Sequence, residues 1–145
     1  VKQRLPDERH SITHRAEVGG MKIFLTVGVY EDGRPGELFI RVNKVGSLIH
    51  GLFDTVAMLV SELLQQGVTV LEIAGKLEGI RFDPAGVTSN KQIPMAKSVI
   101  DYIGKWLTAK FPTKTKVEEV ELEPGDEFGY EDHTGSQEQP DTAEL

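Results

Sequence analysis

This sequence predicts an α+β domain: a small antiparallel sheet of about three strands, with about three helices packed on one of its faces. Three observations carry that reading. Between Ser11 and Lys44 apolar residues recur at every second position in three segments, and glycine-containing turns separate those segments. From Ser47 to Lys110 the apolar spacing changes to three and four, again in three segments.

The first strand places Ile12, His14, Ala16 and Val18 on one face, and Gly19-Gly20 turns the chain into the second, where Ile23, Leu25, Val27 and Val29 share a face. After the Asp32-Gly33-Arg34-Pro35-Gly36 turn, Leu38, Ile40 and Val42 do the same. The opposite face is read as polar and partly small, with Thr13, Arg15, Thr26, Gly28, Arg41 and Asn43. Ser47 is placed as the N-cap of the first helix, whose Leu48, Leu52, Val56, Leu59, Val60 and Leu63 form its apolar stripe until Gly67 stops it. Thr69-Val70-Leu71-Glu72 fits a capping box opening a short helix to about Leu77. Pro94 is read as a first-turn proline, followed by a stripe of Ala96, Val99, Ile100, Ile103 and Leu107 that runs to about Lys110.

Composition bounds the function. The 145 residues contain no cysteine, so disulfides, thiol nucleophiles and thiolate metal sites are excluded. The net charge of -7 is unevenly placed: residues 112–145 hold Lys114 and Lys116 against eleven acids, a balance of -9, which leaves +2 on residues 1–111. The expected organisation is a folded domain over 1–111 and an acidic, largely disordered tail over 112–145, with Val117, Val120 and Leu122 as a candidate short strand. No secretory signal pattern opens the sequence, and no uninterrupted apolar run approaches the roughly 20 residues of a membrane span. A cytoplasmic location and no membrane association are the expectations.

The chemistry-bearing residues fall into three groups. Arg9, Ser11, Thr13 and His14 belong to a donor-rich stretch that reads equally as an edge strand guarded by charge. Lys44, Gly46 and Ser47, with Arg41 nearby, lie where a strand passes through glycine into a helix N-terminus, where free N–H groups suit a phosphate; a plain turn and cap is the alternative. In the loop of residues 79–90, Arg81, Thr88, Ser89 and Asn90 could read a sugar or base edge, or Arg81 could tie the loop to Asp54 or Asp83. His10, His14, His50 and His133 show no metal-ligand spacing, and no metal or cofactor is expected.

A longer pattern is also present. Arg9-x-Ser11-x-Thr13-His14, Val18-Gly19-Gly20, Thr26-Val27-Gly28-x-Tyr30-x-Asp32-Gly33-x-Pro35-Gly36-Glu37, Gly46-Ser47, Gly51-Leu52-x-Asp54, Arg81-Phe82-x-Pro84-x-Gly86 and Asp101-Tyr102-Ile103-x-x-Trp106-Leu107 follow one another in order. Together, over about Leu5 to Leu107, they resemble the C-terminal region of adenosylcobalamin-dependent (class II) ribonucleotide reductases, a segment related to the TSCPD domain. In the full reductases the resemblance implies a large barrel with active-site cysteines and cobalamin, and a further cysteine pair near the C-terminus. None of these cysteines is here, and Thr88-Ser89-Asn90 is the nearest stretch to the cysteine-containing motif that names the TSCPD family.

The expected function is therefore a non-catalytic, nucleotide-associated accessory or stand-alone module, with a reductase large subunit as possible partner. The alternative is a free-standing protein that senses or sequesters a nucleotide or cyclic nucleotide, as small phage and bacterial defence-related proteins do. Long nucleic acid on the polar sheet face ranks lowest of the three binding readings, with only +2 on the domain and no clustered aromatic-basic stripe. An enzyme of unrecognised type, in which Asp54, His14 and Arg81 converge in space, is a further alternative. A dimer formed through exposed sheet edges is the expected oligomer.

Overall fold

The structure is a computed structural model and describes residues 1–112. The element order is β1 (Ser11–Val18), β2 (Met21–Val29), β3 (Pro35–Val42), α1 (Ser47–Gln65), α2 (Val70–Leu77), β4 (Gly86–Val87), β5 (Met95–Ala96) and α3 (Val99–Lys110). This is the expected α+β arrangement: a three-stranded antiparallel sheet in the order β1-β2-β3, three helices, and a small β4-β5 hairpin that the sequence reading did not contain. The candidate strand around Val117, Val120 and Leu122 lies outside the described residues.

The hairpin geometry follows from glycine. Gly19 and Gly20 both have positive φ, 54° and 86°, the type I′ turn whose twist matches the flanking strands. It pins the register Val18↔Met21 through Ser11↔Gly28. With that register Ala16, Val18, Ile23, Leu25, Val27, Leu38, Ile40 and Val42 all face the helices and are buried. The core is completed by Phe53, Ala57, Val60 and Leu64 of α1, Val70 and Ile73 of α2, and Val99, Tyr102, Ile103, Trp106 and Leu107 of α3. Each such aliphatic side chain contributes about 1.5–3 kcal/mol relative to exposure.

Helix α1 departs from the expected pattern in two respects. Its N-cap is Gly46 in extended conformation with no side-chain hydrogen bond, and Ser47 is its first helical residue. Its buried row is Phe53, Ala57, Val60 and Leu64, whereas Leu48, Leu52, Leu59 and Leu63 are 43–73% exposed. Two neighbouring rows of this helix are apolar, and the sheet covers only one. By length and composition α1 is apolar enough to cross a membrane, yet its buried row packs into the core and Asp54 and Glu62 interrupt its outer surface. A Schellman motif ends it, with Gly67 N–H on Leu64 O (3.1 Å) and Val68 N–H on Leu63 O (3.0 Å).

The hydroxyl of Ser61 accepts from Leu38 N–H (2.8 Å), and the Gln65 amide donates to Gly36 O (3.1 Å). Helix α1 thereby satisfies backbone groups at the Gly36–Leu38 end of the outer edge of β3, while those of Ile40 and Val42 have no partner among the described residues. On the other side of the sheet, Ser89 pairs with Glu17 through its N–H (3.0 Å) and its Oγ (2.9 Å), and Gly19 N–H reaches Val87 O (3.0 Å).

Thr69 caps α2 by accepting from Glu72 N–H at 3.2 Å, as expected. For α3 the start lies later than expected. Pro94 precedes β5, and Ser98 is the cap, its hydroxyl accepting from Asp101 N–H (3.0 Å) and donating to Ile80 O (2.6 Å). Asp101 is fully buried and takes Gly79 N–H (2.8 Å), Lys97 N–H (2.8 Å) and the Lys105 ammonium (3.0 Å). Burial alone would raise its pKa, but these three donors outweigh burial and hold the carboxyl below its ordinary value.

Candidate functional site

His14 enters the core side of β1 and meets α3. Its Nε2 lies 2.7 Å from Tyr102 Oη, and its ring is nearly parallel to that of Trp106, with centroids 4.9 Å apart and 11° between planes. Asn90 Oδ1 accepts Gln92 N–H (3.0 Å), so Asn90 turns its amide Nδ2 toward Tyr102 Oη at 3.1 Å. Tyr102 oxygen accepts there and keeps a second lone pair, so the direction of its bond with His14 Nε2 follows the imidazole tautomer. Burial, and then the nearby charge of Lys110, lower the His14 pKa, and burial raises that of Tyr102. Both shifts favour the neutral form of the two groups.

This aromatic wall borders a cleft of about 490 Å³ lined by His14 and Arg15 of β1, Ser89, Asn90, Lys91 and Gln92 of the β4–β5 connection, and Trp106, Ala109 and Lys110 of α3. Its lining includes Arg15, Lys91 and Lys110 and no acidic residue. Such a volume suits a small ligand. Thr88 holds the connection in shape: its hydroxyl donates to Ile93 O and accepts from Asn90 N–H (3.1 Å).

Of the residues singled out from sequence, His14, Ser89 and Asn90 line this cleft and Thr88 supports it. Thr13 and Arg41 lie together on the other face of the sheet, beside Phe24, Thr26, Phe39 and Asp54. Arg9 is occupied internally: its guanidinium holds Glu37 by two bonds of 2.7 and 2.8 Å and donates to Pro6 O. Ser11 is exposed at the start of β1. Lys44, Gly46 and Ser47 form an exposed turn in which Lys44 has φ of 58°, distant in composition from either depression. Arg81 is exposed and pairs with neither Asp54 nor Asp83. The residues missed are Arg15, Lys91, Trp106 and Lys110, which three separated segments bring together without any spacing between them. No three metal-ligating side chains cluster among the described residues.

Comparison with known proteins adds identity to this geometry. The TSCPD domain model matches residues 1–111. A vitamin B12-dependent ribonucleotide reductase of Rhodopirellula baltica is 47% identical over 110 residues, covering 76% of this chain and 11% of the relative. Those of Streptomyces avermitilis (34% identical, 100% of this chain, 15% of the relative) and Streptantibioticus cattleyicolor (38%, 80% and 20%) are similar. This chain thus spans between about a tenth and a fifth of the length of these relatives. No solved structure matches it. A match over almost the whole described region, beside relatives named as vitamin B12-dependent ribonucleotide reductases, means that the chain belongs to the TSCPD domain family.

Proposed function

We propose that this chain is a non-catalytic accessory module of a vitamin B12-dependent ribonucleotide reductase, and that its His14–Trp106 cleft takes a nucleotide. The cleft carries the reading: three cations surround an aromatic wall, no acid lines it, and one flank is the polar Ser89-Asn90-Lys91-Gln92 stretch. Phosphates suit the cations and a base suits the aromatic wall. The same cations and aromatic wall suit a free-standing nucleotide or cyclic-nucleotide binder, the second reading.

Trp106 is the chain's single tryptophan and sits on the cleft, so its emission reports occupancy directly. Titration with nucleoside mono-, di- and triphosphates and cyclic dinucleotides is expected to change that emission. Replacing both Lys91→Glu and Lys110→Glu is expected to weaken the response at least tenfold, about 1.4 kcal/mol. An emission that none of these ligands alters at millimolar concentration removes the nucleotide reading.

The accessory role draws support from the uncovered row of α1. A reductase body many times larger than this domain is the occupant proposed for Leu48, Leu52, Leu59 and Leu63, since a run of exposed leucines on a small domain is the mark of a docking surface. The double variant Leu52→Glu, Leu59→Glu is expected to lose capture of the reductase large subunit while keeping the Trp106 response to nucleotide. Capture that survives the charges argues against this surface.

A further inference from the structure

The face of the sheet turned away from the helices is not the small, polar surface that its sequence pattern suggested. The register sets Arg15↔Phe24↔Arg41 in one cross-strand row and Thr13↔Thr26↔Phe39 in the next, so two phenylalanines and two arginines interleave across three strands. Phe39 is 56% exposed, and this face forms a shallow depression of about 680 Å³. Arg15, Arg41 and Lys22 make no ion pair among the described residues. Glu37, one row further along, is held by Arg9, and it can fold flat over the strands because Gly28 beneath it has no side chain: a Cβ there would lie 2.3 Å from Glu37 Oε1.

We propose that this face binds single-stranded nucleic acid, with Phe24 and Phe39 as stacking platforms for unpaired bases and Arg15 and Arg41 on the flanking phosphates. Charge selects this occupant over a second copy of the chain. Two such faces laid together oppose Arg15 and Arg41 with Arg15 and Arg41; Asp54 is the one acid lining the depression, and Glu17, opposite Lys22, is a further acid on the face. Geometry selects a single strand over a duplex. Phe24 and Phe39 are diagonal neighbours on adjacent strands, about 7–8 Å apart, more than twice the about 3.4 Å rise of duplex bases, so bases resting on both must be splayed. Aromatics on a sheet face serve unpaired bases in this way because every base has a π-face. Arg15 is shared, since it lines the nucleotide cleft and belongs to the Arg15–Phe24–Arg41 row, while Phe24, Phe39 and Arg41 belong to this face alone.

The test is fluorescence anisotropy of labelled dT12 and rU12 against the full chain at low salt, with the matching duplex as comparison. Binding to the single strands is expected, with a slope of log affinity against log salt near -2 for three cations at about 0.7 each. Phe39→Ala and Phe39→Leu are both expected to weaken it about tenfold, the leucine variant separating stacking from apolar area. Arg41→Gln is expected to make the slope shallower by about 0.7. Lys91→Glu, in the cleft, is expected to leave it unchanged, so failure of the cleft and failure of this face read out separately. The proposal is overturned by no anisotropy change with either strand, by equal binding of the duplex, or by Phe39 variants that bind as the parent does. Self-association that Phe39→Ala abolishes, without oligonucleotide binding, assigns the face to a second copy instead.

Discussion

Asp101→Ala is expected to lower the melting temperature by roughly 12–20 °C. The substitution removes the acceptor for Gly79 N–H and Lys97 N–H and the partner of Lys105 in one step. Gly79 and Lys97 are exposed residues, so each of their bonds to the charged carboxylate stands at the low end for such bonds, about 1.5–2 kcal/mol, and the loss of a carboxylate from the first turn of α3 adds about 0.3–1 kcal/mol. A total of about 3–5 kcal/mol is a large part of the about 5–15 kcal/mol that holds a domain together, and each kcal/mol is worth about 4 °C or more at this size. Asp101→Asn retains one acceptor but turns an NH2 toward a donor, and is expected to fall between parent and alanine variant.

The same residue sets an acid limb. Because the carboxyl titrates lower in the folded chain than in the unfolded one, its contribution is complete above the unfolded value of about 3.9 and is lost as pH falls through the folded value. His14, also depressed when folded, acts in a higher window: its contribution is complete above about 6.5 and declines as pH falls from there toward its folded value. Melting followed by circular dichroism from pH 3 to 8 should show both limbs in the parent, with the lower one shallower in Asp101→Asn, where Asp32 and Glu62, also held below their ordinary values by hydrogen bonds, still contribute to it. An alanine variant that melts within 3 °C of the parent at pH 7 contradicts the role given to Asp101.

Gly19→Val is the second large expected loss, about 3 kcal/mol or more. At φ of 54° a side chain already costs about 1–2 kcal/mol, more when β-branched, and a Cβ here lies 2.8 Å from Ala85 O and 3.1 Å from Pro84 Cβ. Both neighbours belong to a segment pinned to the hairpin by the Gly19 N–H bond to Val87 O, so neither can rotate aside. The chain must therefore move the segment that leads into Thr88 and Asn90, and the cleft with it. Gly20 has φ of 86° but open space around it. Comparing Gly19→Ala with Gly20→Ala in urea unfolding isolates the contact from the strain: the Gly19 variant is expected to be worse by about 1–3 kcal/mol. Equal losses at the two positions show that the contact with Ala85 carries nothing.

Strands β1 to β3 were legible because alternation and glycine turns are local signals, and the buried residues of all three follow from them. The same register contained the aromatic platform. Once Gly19-Gly20 fixes Val18 opposite Met21, Arg15 must face Phe24, a step that a face-by-face inventory of polar residues passes over. In α1 two adjacent apolar rows have equally good helical spacing, and only the sheet's position decides that Phe53, Ala57, Val60 and Leu64 are inside. The start of α3 was misplaced because Pro94 is a strong local signal, while Ser98-x-x-Asp101 owes its weight to Gly79 and Ile80, partners far away in sequence. The β4-β5 hairpin, at two residues a strand, has no period to detect. The cleft residues Arg15, Lys91, Trp106 and Lys110 share no spacing, and folding alone brings them together.

The bonds from Ser61 and Gln65 to β3 also shorten the edge that this strand leaves open. Beyond Glu17 the outward-facing groups of β1 are taken by residues 87–89, but those of Ser11, Thr13 and Arg15 have no partner among the described residues. On β3 the same holds for Ile40 and Val42. A fixed neighbour stands at the end of each opening, residues 87–89 on β1 and the Ser61 hydroxyl on β3, so a strand that enters at either place is stopped after a few residues.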